Sequence, residues 1–131
     1  MKMKFEFPEK YDYVEIMEDY FVEYESENYA IGLEKVPYDD QDVDFKKSIV
    51  SATKQIAKDM TFTKIENGAF LTNFEKAYYI ITYEEDDDRS IVFIALIVDE
   101  KNKMTYEIDL YCYDGNKQNG INILNSLRFT H

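Results

Sequence analysis

Apolar and polar residues alternate from the start of the chain: Met1, Met3, Phe5 and Phe7 are interleaved with Lys2, Lys4 and Glu6 before Pro8. That alternation predicts a strand with one buried face, and proline ends its ladder. The runs 19–25 and 29–36 alternate in the same way, and Glu25-Ser26-Glu27-Asn28 between them reads as a hairpin turn. Pro37 then breaks the pattern, and an acidic loop, YDDQDVD, follows. From Phe45 the spacing becomes helical. Phe45, Ile49, Ala52, Ile56 and Met60 share one apolar stripe, with Lys47, Lys54 and Lys58 opposite. This predicts a helix over 45–60 whose stripe packs on a sheet and whose lysines face water. Asp44 is a suitable N-cap, its charge lying at the positive end of the helix dipole. Residues 61–66 and 69–74 read as two strands joined by Asn67-Gly68, a dipeptide suited to the positive φ angles of a type I′ turn.

The most regular segment runs from Lys76 to Phe129. Three apolar, β-branched and aromatic runs are separated by short charged turns and followed by a helical segment over 117–127, an antiparallel meander closed by a helix. IVFIALIV has no polar face, which makes it a central strand covered on both sides, and AYYIITYE is apolar on both faces too. MTYEIDLYCY alternates. Met104, Tyr106, Ile108, Leu110 and Cys112 point to the core, whereas Thr105, Glu107, Asp109, Tyr111 and Tyr113 point the other way. The fold class expected is α+β: one domain over 1–131, an antiparallel sheet with helices packed on one face and an N-terminal β unit against the rest.

Charge narrows the partner. Residues 1–44 hold 14 Asp and Glu against 4 Lys, so most of the formal net charge of −12 belongs to the N-terminal third. Nucleic acid and anionic membrane surfaces need a basic footprint that is missing here, so neither is expected as a partner. The longest apolar run has eight residues, too few to span a bilayer, so no membrane insertion is expected. MKMKFEFPEK alternates where a signal peptide would run apolar, and the lone Cys112 shows no dependence on an oxidising compartment. A cytoplasmic location is the expectation.

The order of a strand ending in proline, a hairpin, one amphipathic helix, Asn67-Gly68, a three-strand meander and a closing helix with ILNSLRF resembles the PsbP-like superfamily. Ile123, Leu124, Ser126, Arg128 and Phe129 are its most specific C-terminal residues. Members of that superfamily include a photosystem extrinsic subunit, the Mog nuclear import factor and Eag-type secretion chaperones in bacteria. Many bacterial relatives are secreted or lipid-anchored, whereas this opening segment carries no leader or lipobox pattern. The resemblance implies a PsbP-like sandwich that binds or scaffolds other proteins, and it transfers no functional residue.

The search for chemistry agrees by exclusion. The only histidine is the terminal His131, which makes a serine or cysteine catalytic pair implausible, and the Cys and His ligands of a zinc site are lacking. Cys112 falls on the apolar side of its strand and reads as a buried structural thiol. Asp40, Asp42 and Asp44 share the spacing of half an EF-hand loop, but Phe45 and Ser51 stand where glycine and a bidentate glutamate belong. A solvated helix-capping loop is the reading there, and a charged hairpin tip is the reading for Glu84 to Asp88. The face bearing Glu107, Asp109, Tyr111 and Tyr113 is the candidate partner-binding surface, because tyrosine gives rigid contact area with a polar tip. The function expected is a non-enzymatic protein-binding module, an adaptor, chaperone or immunity-type partner, with no cofactor. The alternative is a small-ligand or divalent-cation binding protein, with a carboxylate-based hydrolase third.

Overall fold

The computed structural model describes residues 2–7, 11–15, 21–37, 45–62, 64–84, 87–100 and 103–130. The alternating N-terminal runs form β1 (Lys2–Glu6), β2 (Tyr11–Glu15), β3 (Phe21–Glu25) and β4 (Tyr29–Pro37). Then come α1 (Phe45–Asp59), β5 (Ile65–Phe70), β6 (Ala77–Glu84), β7 (Asp87–Asp99), β8 (Met104–Cys112), α2 (Lys117–Ser126) and β9 (Arg128–Thr130). The described strands form a six-stranded antiparallel sheet, ordered β3-β4-β8-β7-β6-β5, and a three-stranded one, β2-β1-β9. The architecture is α+β. The meander β6-β7-β8 is its centre, and the predicted β3–β4 hairpin turns at Ser26, whose amide donates to Tyr29 O at 2.7 Å.

The central run behaves as its composition requires. Every residue from Ile91 to Ile97 is buried, as is every residue from Ala77 to Thr82 on the neighbouring strand. Two apolar faces need two covers. On one face Phe93, Ile108 and Leu110 pack with Phe5 and Phe7 at the end of β1 and with Ile123, Leu124 and Leu127 around α2. On the other, Ile49 and Ala57 of α1 pack against Tyr78, Ile80, Val92, Ile94 and Leu96. The helices therefore lie on opposite faces of the large sheet, not together on one face as the sequence reading had them. A doubly apolar strand leaves no face that water can cover, so each side takes its own helix. Gly120 lets α2 approach closely, since a Cβ there would stand 2.1 Å from the Phe93 ring. Asn116 caps that helix by accepting from Asn119 N at 3.0 Å.

Three local expectations change. Helix α1 is rotated from the predicted stripe: Ile49, Thr53 and Ala57 are buried, while Ala52 is exposed. A threonine fits the buried side because its Oγ1 donates to Ile49 O at 2.6 Å and leaves its methyl to pack. Asn67-Gly68 joins no pair of strands. It is an irregularity within β5, where the register to β6 shifts between Glu66 and Ala69. Gly68 has no positive φ, as a type I′ turn would need, and a Cβ on it would lie 1.6 Å from Tyr79 O. Residues 71–76 form no strand. Strands β2 and β9 carry too little pattern to be predicted, and both are held by pairing with β1. No described helix is long and apolar enough to cross a membrane.

Candidate sheet-face site

Strand β8 alternates as its sequence demands. Tyr106, Ile108, Leu110 and Cys112 are buried in the core, and Met104 packs against it, so that prediction holds residue by residue. Burial pushes the Cys112 thiol up to about 12, which leaves it inert as a nucleophile at neutral pH. The alternate residues Glu107, Asp109 and Tyr111 point to the face that also carries α1 and are half-buried, while Tyr113 is 41% exposed. The four predicted surface residues are thus together on one face.

The ladder decides what surrounds them. On one side β7 places Leu96 opposite Glu107, Ile94 opposite Asp109 and Val92 opposite Tyr111, and these three belong to the apolar floor packed beside α1. On the other side β4 places Glu34 opposite Glu107, Gly32 opposite Asp109 and Ala30 opposite Tyr111. Directly opposed residues on an antiparallel pair share a face, so Glu34, Glu107 and Asp109 converge. Among the described residues nothing fills the position at Gly32: a Cβ added there meets no atom within 4 Å. The face is therefore apolar and covered along β6 and β7, and acidic, with a bare backbone position at Gly32, along β4 and β8. Tyr111 stands at the border, packed against the α1 cluster and stacked on Tyr113 with ring centroids 6.2 Å apart.

The electrostatics follow from this crowding. Burial, then the neighbouring Asp109 and Glu34, push the Glu107 carboxyl up to about 7, and a hydrogen bond with Glu34 favours its protonated form. Burial and the Glu34 charge push Asp109 up to about 6. Its Oδ1 is buried and has no hydrogen-bond partner among the described residues. Glu34 and Gly32 were missed by reading β8 alone. The alternation of Ala30, Gly32 and Glu34 against Ile31 and Leu33 was a usable signal for their face, but only the register names their partner.

Other candidate positions separate from this site. Asp40, Asp42, Asp44, Glu85, Asp86 and His131 lie outside the described residues. Glu84 and Asp87 are register partners, which puts the acidic run at the β6–β7 connection as predicted. Lys58 is exposed and Lys54 half-exposed on α1. Among the described residues, no group of three or more Asp, Glu, Cys or His is placed to hold a metal ion. A second polar cluster is satisfied from within. Glu66 accepts from the Tyr83 hydroxyl at 2.8 Å and pairs with Lys117 at 3.0 Å, and both bonds hold its carboxyl below the usual range. Two open recesses, of about 390 and 320 Å³, are lined partly by charged and amide side chains, Glu75, Lys76 and Glu100 in one and Glu6, Asn119 and Asn122 in the other. Compared with family models, with curated proteins and with solved structures, the chain finds no match.

Proposed function

We propose that this chain is a non-enzymatic protein-binding module, acting as a cytoplasmic adaptor, chaperone or immunity-type partner through the β4–β8 half of the α1-side face. One observation carries the reading: beside a covered apolar floor, the same face presents half-buried carboxyls and a stacked tyrosine pair, with no side chain at Gly32 between them and β3. Tyrosines beside polar groups that are already partly desolvated suit a contact surface, because little more water must be removed when a partner seats. The order of strand, hairpin, helix, meander and closing helix, which resembles the PsbP-like superfamily but lacks the Asn67-Gly68 turn, supports the same reading. A photo-crosslinking residue placed at Tyr113 in the source cells should give one discrete protein adduct, and the same residue at Glu75, an exposed position on the β5–β6 connection, should give none. Equal labelling at both positions, or no adduct at Tyr113, would count against this assignment.

A further inference from the structure

We propose that Asn67-Gly68 on β5 is a self-modifying site, where the Asn67 side chain converts without an enzyme to aspartate and isoaspartate and so loosens one edge of the large sheet. The sequence offers this chemistry at three places: Asn67-Gly68, Asn119-Gly120 and Asp114-Gly115. A glycine after the amide or acid leaves its backbone nitrogen without a Cβ to shield it. The structure closes two of the three. Inside α2, Gly120 N donates to Asn116 O at 3.2 Å, and Gly120 is buried against the Phe93 ring. The Asn119 side chain donates to the Tyr29 hydroxyl at 3.4 Å. Gly115 N donates to Cys112 O at 3.2 Å, and both Asp114 oxygens accept, one from the Tyr29 hydroxyl and one from Asn116 N.

Asn67 stands apart from both. It is exposed, and its side chain makes no hydrogen bond with a described residue. The ladder from β5 to β6 passes from Glu66 opposite Ile81 to Ala69 opposite Tyr79, so Asn67 and Gly68 together face the single Ile80. Strand β5 is also the last of its sheet, and its outer side pairs with no described strand. An irregular edge strand opens locally while the centre of the sheet stays closed. In such openings the Gly68 nitrogen, having lost its proton to hydroxide, attacks Asn67 Cγ. The N–Cγ bond forms, the Cγ–Nδ2 bond breaks, and ammonia departs from a cyclic imide. Water then adds to either imide carbonyl and reopens the ring as aspartate or isoaspartate, with no change of oxidation state. Each product sets a new negative charge beside Glu66, the carboxylate that pairs with Lys117. Isoaspartate also routes the backbone through the side-chain methylene. It thereby adds an atom to a strand packed so closely that a Cβ on Gly68 would lie 1.6 Å from Tyr79 O.

The test incubates the whole chain at pH 8 and follows each Asn-Gly by peptide mass mapping, which detects the replacement of an amide by a carboxylate and separates the isoaspartyl peptide by retention. Asn67 is expected to convert about tenfold faster than Asn119 or more, since the fold keeps the second from reaching the geometry of attack. In urea concentrated enough to unfold the chain, the two sites should convert at similar rates, because both are then plain Asn-Gly. A native ratio no larger than the ratio in urea would overturn the inference, and so would an Asn67 that stays intact in the native chain. Asn67→Ser, which removes the amide and keeps Gly68, should abolish the product at this position. Conversion should slow severalfold from pH 8 to pH 6, because the attacking nitrogen must lose its proton; a rate independent of pH would refute the imide route. The modified chain, separated by ion exchange, should then show faster amide hydrogen exchange across Ile65–Phe70 and unchanged exchange across residues 91–97. Equal exchange in β5 before and after conversion would overturn the loosening of the edge.

Discussion

Glu66 and Asp109 are carboxylates on the same six-stranded sheet, and their surroundings act on them in opposite directions. Glu66, on the edge strand β5, receives the Tyr83 hydroxyl and the Lys117 ammonium, and its charged form is favoured. Asp109, on the interior strand β8, is held against an apolar floor with Glu34 near, and its charged form is disfavoured. One cluster is complete in the isolated chain. The other holds a buried acceptor that has no donor among the described residues. The difference shows why the total of acids and bases in a chain says little about where a partner binds: burial and pairing decide which charge is left over.

The sharpest break of that comparison removes the floor beside the strained acid. Ile94 is fully buried, opposite Asp109, and Ile94→Ala should cost about 2–4 kcal/mol in urea unfolding, because a cavity replaces a packed side chain. If Asp109 is under the tension described, neutralising it should have the reverse sign. Asp109→Asn is expected to stabilise the chain at pH 8 by about 1 kcal/mol, allowing for partial solvent screening, and to change little below about pH 4. A destabilisation at pH 8 would mean that the carboxylate is satisfied after all.

The pH dependence follows from the same shifts. Both Glu107 and Asp109 titrate above their unfolded values, near 4.3 and 3.9, so the stability they contribute is fullest below about pH 4. It is lost as the pH rises through about 6 for Asp109 and about 7 for Glu107. The melting temperature should therefore fall between pH 5 and pH 8, and the fall should flatten in the double variant Glu107→Gln, Asp109→Asn. Glu66 has the opposite sign: its contribution is present at neutral pH and is lost only as the pH drops below the usual carboxylate range. The smallest effect belongs there. Lys117→Ala breaks an exposed pair and should cost about 0.5 kcal/mol or less, fading further at high salt.

What could be read along the chain was whatever depends on neighbours in sequence. The alternation of β8 placed Cys112 and Leu110 inward and Asp109 and Tyr111 outward, and the continuous apolar run of β7 put it at the centre of the sheet. Asn67-Gly68 misled because its turn propensity is local, whereas the pairing of β5 with β6 holds it extended with Gly68 pressed against Tyr79. The stripe of α1 was drawn from apolar residues alone and missed Thr53, which the helix can bury because the Ile49 carbonyl accepts from its hydroxyl.

The sequence by itself determined the meander strands, the two helices and which residues share a face of each of those strands, since those follow from bond geometry and the periods of helix and strand. Only the tertiary structure decided that α1 and α2 lie on opposite faces and that α1 covers β6 and β7. It also decided that β4 pairs with β8 so that Glu34 meets Glu107 and Gly32 stands opposite Asp109. Pairing partners and helix cover are settled by how all the apolar surfaces are buried at once, and no single segment carries that information.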